Sequence, residues 1–507
     1  MSRILGFVRD ILTAALLGAG PFADAFFVAL KLPNFFRRVT AEGAFTVAFV
    51  PLYSERLEQE NQEKASLFAS NAFAVMLLFL VPFTILAVMA MPYIIYVIAP
   101  GFSDDPLRFG LAVELSRITF PYLLLMSLTA LLGGVLNAHD KFAPFASAPI
   151  LFNLCLIIAL LAFTPMSESA GHAMAYGIAM AGVAQFLWLA YNVKRAGLKM
   201  RLKKPEFTPN IKKLFRLMGP GVIGAGVMHI NLFADLIIAS LLSSGAISYL
   251  YYADRLNQLP LGMVGIAVGT ALLPMLSKAV AAQNAERTQH LFNRALEICL
   301  LLALPAAAAL FVIPETLIGT LFERGAFTAA DTSAASKVLM GYAIGLPAYI
   351  AVKVFSTAYW SQQDTVSPVK ISVFTTAVNV GLSLILIFPF GVAGIAISTG
   401  LVGWLQLILL YRGLRAQASL QFDKRFKKAI FRIVFSTLFM AVILLVSDKY
   451  LGSFIYEGEP AKIAVLTALV ILGLISYGLS VITTKAVSID EIKKYLLPKK
   501  ATKESDL

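Results

Sequence analysis

Continuous apolar runs, each about as long as a bilayer is thick, recur from one end of this 507-residue chain to the other. A hydrocarbon core of about 30 Å takes about 20 helical residues to cross. Inside lipid every backbone N–H and C=O needs a partner within the protein, which leaves helices and closed barrels. The runs are continuous rather than alternating, and that selects helices. Charged residues make up 14% of the chain and apolar ones 59%, where a soluble domain carries about 25% charge. The expected fold is all-α and membrane-integral. Fourteen transmembrane helices are read near residues 4–19, 24–52, 68–99, 111–136, 144–163, 172–193, 214–242, 247–277, 291–321, 334–360, 367–388, 391–411, 429–447 and 462–483. The first is the weakest, because Arg9 and Asp10 interrupt it and its clean apolar part, Ile11 to Leu17, is short.

Loop charge supplies an independent check. Segment 194–216 carries Lys194, Arg195, Lys199, Arg201, Lys203, Lys204, Lys212, Lys213 and Arg216; segment 412–432 and the tail from Lys485 are also basic. Even numbers of spans separate these segments, so all three fall on one side. The opposite loops are poor in Lys and Arg: 164–171 has none and 100–110 has only Arg108. The positive-inside rule then puts both termini in the cytoplasm. It also accounts for the net charge of +13 without invoking nucleic acid, since juxtamembrane basic clusters meet anionic lipid.

An offset of about 224 residues aligns the chain with itself. Pro51 and Ser54 match Pro274 and Ser277, Gly101 matches Gly325, Pro121 matches Pro347, and Asp140 and Pro144 match Asp364 and Pro368. This predicts two six-helix lobes plus a C-terminal pair. The divisions are 1–193, a basic loop 194–216, 217–411, a basic loop 412–428, the helix pair 429–484 and a tail 485–507. Internal duplication of this kind is common in transporters, whose sites lie between the repeats.

The chemistry points the same way. Cys155 and Cys299 sit in apolar runs, and the four histidines form no ligand spacing in sequence. No Walker motif, G-x-S-x-G or metal-ligand cluster appears, so the chain reads as no enzyme, and active transport would draw on an ion gradient or the membrane potential. A charge at a helix centre costs about 2.5–3.5 kcal/mol on insertion scales and marks function or pairing. Arg3, Arg9, Asp10, Asp24, Lys31, Arg37, Arg38 and Glu42 crowd the first two spans, and Asp254 and Arg255 lie in the eighth. Read functionally, they line a cationic wet cavity for an anionic head group, with arginine forks for phosphate oxygens. Read structurally, they are interhelical ion pairs. Asp235, Thr375 and Asn379 are candidates for a Na⁺ or proton site, and Lys353 is expected to pair with an acid. A cation-coupled drug exporter, a membrane glycosyltransferase and a cell-wall scaffold are the alternatives.

The stretches SRILGFVRD, DAFFVALKLPNFFRRVTAEGAFTVAFVP, FPYLLLMSLTALLGGVLNAHDKF and YYADRLNQLPLGMVGIAVGTALLPMLS resemble the MurJ (MviN) lipid II flippases of the multidrug/oligosaccharidyl-lipid/polysaccharide exporter superfamily. The resemblance implies a two-lobed bacterial inner-membrane protein that moves the undecaprenyl-diphosphate-linked peptidoglycan precursor outward. It maps the family's cavity onto Arg3, Arg9, Arg38 and Arg255 with Asp24 as associated acid, and a sodium site onto Asp235, Asn379 and Thr375. It also implies membrane lipids and cell-wall synthesis proteins as partners. Two departures stand out. Family members carry further residues before the first motif, so either the start codon is misassigned or span one is truncated. Gln258 stands where some members have an acid.

Overall fold

The computed structural model describes residues 2–37, 45–201, 203–267, 272–416, 421–452 and 458–486; within these, the side chains of 46, 47, 220–232 and 263–267 are not described. Every regular element among the described residues is helical. The chain forms two compact units, Met1–Tyr251 with Phe322–Asp331, and Tyr252–Leu321 with Thr332–Leu507.

The first unit holds α1 (Ser2–Leu17), α2 (Pro21–Phe36), α3 (Thr46–Gln59), α4 (Gln62–Met89), α5 (Met91–Ile98), α6 (Pro106–Thr119), α7 (Tyr122–Asn137), α8 (Ala143–Ile158), α9 (Ala170–Arg195) and α10 (Pro209–Ser240). Local chemistry sets their ends. Asn61 caps α4 by accepting from the Lys64 N–H, Asp105 caps α6 by accepting from Leu107 and Arg108, and Ser169 caps α9 by accepting from His172. Such caps satisfy backbone donors that the first turn leaves open. Lys194 and Arg195 end α9, where the helix dipole favours cations. Apolar burial between helices is a weak drive in lipid, so small residues that allow close approach carry the packing. A Cβ on Gly177 would stand 2.6 Å from that of Ala159, which shows how near α9 comes to the end of α8. Where α3 and α4 meet, Phe49 stacks with Phe45, Tyr53 and Phe68 at 5.0–5.7 Å.

The second unit takes up most of α11 (Ala246–Ala267), then α12 (Leu273–Ala281), α13 (Ala285–Val312), α14 (Pro314–Phe322), α15 (Ala329–Ser361), α16 (Val366–Phe390), α17 (Val392–Ala416), α18 (Lys424–Leu451) and α19 (Glu459–Thr483). The short ends of α14 and α15, and the turn between them, belong to the first unit. In this second unit a Cβ on Gly345 would lie 2.5 Å from the Cα of Gly400, so α15 and α17 meet almost backbone to backbone. Helices α18 and α19 are tied by Ser480 Oγ donating to Ser436 Oγ at 2.9 Å, and Tyr477 donates its hydroxyl proton to the Leu301 carbonyl of α13 at 2.7 Å.

The repeat is visible in the elements. Helices α4 and α13 both have 28 residues, begin at 62 and 285, and carry an internal proline at 82 and 305. Asn61 and Asn284 cap them in the same way. The linker after each repeat docks on the same turn of these helices: Asn71 holds the backbone of Glu206 through two hydrogen bonds, and Arg294 holds the carboxylate of Asp423.

Ten helices among the described residues are long and apolar enough to cross a membrane, so the expected fourteen are not reached. The ten correspond to the spans read from 68–99 through 172–193 and from 291–321 onward. The other four fall on α1, α2–α3, α10 and α11–α12. Two of these are divided by residues outside the described set. Helix α1 has 16 residues, about 24 Å at 1.5 Å per residue, and carries three charges. Helix α1 is short, α11 is polar, α2 and α3 are each short, and α10 contains residues whose side chains lie outside the described set.

Candidate functional site

Midway along α1, Arg9 and Asp10 are both buried. Neighbours in a helix do not share a face, yet the Arg9 side chain curls back so that Nε and Nη2 donate to Asp10 Oδ1 at 3.1 and 2.7 Å. Its Nη1 donates to Asn153 Oδ1 of α8 at 3.0 Å. Asn153 is itself fixed, donating to the carbonyls of Ser2 and Pro149. Tyr251 donates its hydroxyl proton to Asp10 Oδ1 at 2.9 Å and stacks on Phe27 of α2 with centroids 3.9 Å apart. Arg9 is thus a buried, oriented cation whose charge is moderated by one acid.

A second polar cluster joins α2, α6 and the start of α11. Asp24, fully buried, accepts from the Gly245 N–H at 2.8 Å, the Ser248 N–H at 2.9 Å and the Ser248 hydroxyl at 2.7 Å. Arg108 pairs with it at 3.3 Å, donates to the Leu242 carbonyl at 3.2 Å and lies over the Phe102 ring. Beside it, Tyr249 donates to Asp331 Oδ1 at 2.8 Å, and Asp331 accepts from the Thr328 N–H and hydroxyl at 2.8 Å.

Backbone contacts frame this cluster. A Cβ on Gly101 would stand 2.2 Å from the Ser240 carbonyl oxygen, and one on Gly325 equally close to that of Ala15; Gly325 also has φ +59°. Both positions are restricted to glycine by space, and the second by conformation as well. Ala326 donates its N–H to the Ala15 carbonyl at 2.8 Å.

The sequence candidates therefore separate. Arg9 and Asp10 form one cluster and Asp24 belongs to another, while Arg3 is exposed on α1. Arg38 and Glu42 lie outside the described residues. Arg255 is half-buried on α11 in the second unit, where Gln258 donates to Asp254 one turn away. The expected acid partner of Lys353 is not found among the described residues; Lys353 donates instead to the Leu261 carbonyl at 3.3 Å, a proline-interrupted stretch of α11 supplying the acceptor.

Asp235 is half-buried in the first unit. Thr375 and Asn379 are buried one turn apart on α16 in the second. Thr375 donates to the Ile371 carbonyl, so its oxygen lone pairs remain for an acceptor role, and Asn379 Oδ1 accepts from Ser398 at 2.8 Å. Thr375 and Asn379 thus offer neutral oxygens, the donor type that hard cations take.

Sequence reasoning missed Asn153, Tyr251 and Arg108 as partners of these charges. Only Arg108 left a trace, since the Asp105-Pro106 helix start places it in the first turn of α6.

Duplicated helical repeats of membrane-spanning length, with buried charge on α1 and α2, point to a membrane transporter. The fold is similar to that of an inward-facing multidrug resistance MATE family transporter of the MOP superfamily, with TM-score 0.70 and 17% identity over 83% of this chain and 95% of that one. A solved lipid II flippase MurJ in an inward closed conformation is nearer: TM-score 0.80, 26% identity, 98% of this chain and 97% of that one. The family model for lipid II flippase MurJ matches residues 13–465. Probable lipid II flippases MurJ of Rhizobium tropici and Rickettsia prowazekii are 37% and 35% identical, over 100% and 97% of this chain and 96% and 97% of their own lengths. The chain belongs to the lipid II flippase MurJ family. It is a multi-pass membrane transport protein, not a catalyst.

Proposed function

We propose that this chain carries lipid II, the undecaprenyl-diphosphate-linked peptidoglycan precursor, from the inner to the outer face of the bacterial cytoplasmic membrane by alternating access. Both termini lie in the cytoplasm, following the basic segments. The observation that carries the reading is the buried Arg9–Asp10–Asn153–Tyr251 cluster in a chain of this family. An arginine oriented by its neighbours presents a planar fork suited to phosphate oxygens, and its acid limits the charge left over when no substrate is bound. Arg3, Arg38 and Arg255 add to the cationic lining, and the polyprenyl tail stays in lipid beside α18 and α19. Asp235, Thr375 and Asn379 bind Na⁺ or relay a proton and couple transport to an ion gradient or the membrane potential. Cell-wall synthesis proteins receive the product.

The test is complementation of cells depleted of their lipid II flippase, with surface accessibility of the precursor as the readout. Arg9→Ala is expected to abolish surface lipid II, and Arg9→Lys to restore only part of it, because an ammonium lacks the bidentate fork. Replacing external and internal Na⁺ by choline reports on the coupling ion. Full translocation by Arg9→Ala overturns the assignment.

A further inference from the structure

The four histidines show no ligand spacing in sequence, but the fold gathers one of them with two acids. Glu114 of α6, Glu168 in the segment before α9 and His172 in the first turn of α9 bring their ligand atoms within 4.8 Å of one another. His172 is 3% exposed. Its Nε2 lies 3.5 Å from Glu114 Oε2 and 3.7 Å from Glu168 Oε2, and makes no hydrogen bond. On the other side of the ring, Nδ1 is 2.9 Å from Ser169 Oγ. That oxygen is held in place as the N-cap of α9.

Ser169 Oγ lies within hydrogen-bond distance of Nδ1; where it accepts from Nδ1–H, the lone pair of the ring is on Nε2. That buried lone pair faces two carboxylate oxygens, a donor set that a metal ion among them would satisfy. Metal-bound histidines characteristically donate their second ring N–H to such a partner. The distances fit as well. Ligands about 2.0–2.2 Å from a tetrahedral zinc ion lie about 3.3–3.6 Å from one another, and the two histidine–carboxylate separations are already close to that. The two glutamate side chains are 55% and 82% exposed, so they can close the remaining gap. An open cleft of about 650 Å³ reaches Glu114. Arg117 lines the same cleft, with its Nε donating to the Val88 carbonyl.

We propose that Glu114, Glu168 and His172 form a binding site for a divalent transition-metal ion of the zinc class, with the fourth position open to water. Imidazole with carboxylates suits zinc and its neighbours in the series, whereas magnesium and calcium take oxygen ligands. The ion would clamp α6 to the start of α9, at the opposite end of α9 from Lys194 and Arg195.

The experiment uses the full chain, purified in detergent, stripped with EDTA and titrated calorimetrically with ZnCl₂, with MgCl₂ as control. One zinc ion per chain, no comparable magnesium heat and a zinc-dependent rise in Tm are expected. The double variant Glu114→Gln/Glu168→Gln changes only exposed side chains, so it folds, and it is expected to lose the zinc heat and the Tm rise together. Ser169→Ala is expected to weaken zinc binding about 10–100-fold at unchanged stoichiometry. An unmodified chain that takes up no zinc, as a simple imidazolium–carboxylate cluster would, overturns the proposal. So does a double variant that binds zinc as tightly as the unmodified chain.

Discussion

The two repeats place the same elements at the same offsets and fill them with different chemistry. In the first, the turn after α5 leads to the N-cap Asp105, and the base Arg108 three residues on reaches Asp24. In the second, the turn after α14 leads to Thr328, and the acid Asp331 three residues on is reached by Tyr249. Thr328 and Asp331 make a reciprocal capping box, with the Asp331 N–H donating back to Thr328 Oγ1. The glycine contacts are exchanged in the same pattern: Gly101 of the first repeat abuts Ser240 of the second, and Gly325 of the second abuts Ala15 of the first. One scaffold therefore uses a buried ion pair on one side and a neutral-to-charged hydrogen bond on the other. Duplication conserves backbone geometry, while side-chain partners are free to diverge as long as each buried group stays satisfied.

The largest effect that tests this contrast is Arg108→Ala. Removing one member of a buried pair costs about 3–5 kcal/mol, and the three hydrogen bonds Asp24 keeps from Gly245 and Ser248 place the loss at the lower end of that range. Tyr249→Phe in the second repeat removes a single hydrogen bond to a carboxylate, with an expected cost of about 1.5–3 kcal/mol. Denaturant titration of both variants in the same detergent ranks them. A greater loss for Tyr249→Phe would mean that the ion pair is not the stronger fastening.

The smallest effect concerns pH. Helix α7 ends in a turn where Lys141 donates its N–H to the Leu136 carbonyl, and α15 ends in an equivalent turn where Asp364 donates to Tyr359. The first turn carries His139, 3.0 Å from the Tyr53 hydroxyl; the second has Gln362 in its place. Burial, together with Lys141, holds His139 below its ordinary value of 6.5 against a smaller opposing pull from Asp140. Between the folded and unfolded values the unfolded chain binds more protons, so this contribution is present above about pH 6.5 and is lost as pH falls below it. In the second turn, hydrogen bonds from the Ser367 side chain and backbone hold Asp364 below its ordinary 3.8. Its contribution is present above that value and is lost only as pH falls through the lower, folded one. Hydrogen exchange, corrected for intrinsic rates, should show the amide of Lys141 losing protection between pH 7.5 and 5.5 while that of Asp364 holds.

Much of this molecule was legible in one dimension. The period and length of the apolar runs gave ten of the spanning helices, and the register 51 to 274 and 101 to 325 gave the duplication; the structure moves the match of Asp140 by one, to Gln363, both of which have positive φ. The first span was the hardest to delimit, because the charges that make α1 of interest also weaken its hydropathy signal, and Asp254 and Arg255 do the same in α11. The candidate site was legible as a list of charges and not as a set of contacts. Arg9 and Asp10 were found because a charge inside an apolar run stands out, but Asn153 and Tyr251, neutral and 144 and 242 residues from Arg9, carry no such mark.

By itself, then, the sequence determined that this chain crosses a membrane as a duplicated bundle of helices, since hydrophobic length and charge placement are local properties answerable to the bilayer. Tertiary structure alone decided which buried charge meets which partner. It separated Asp24 from Arg9 and gave it to Arg108, and it set His172 between Glu114 and Glu168. A carboxylate withdrawn from water takes whatever donor the packing of its helix brings within about 3 Å, and that packing is fixed by glycine-sized gaps and backbone approaches far from the charge in sequence.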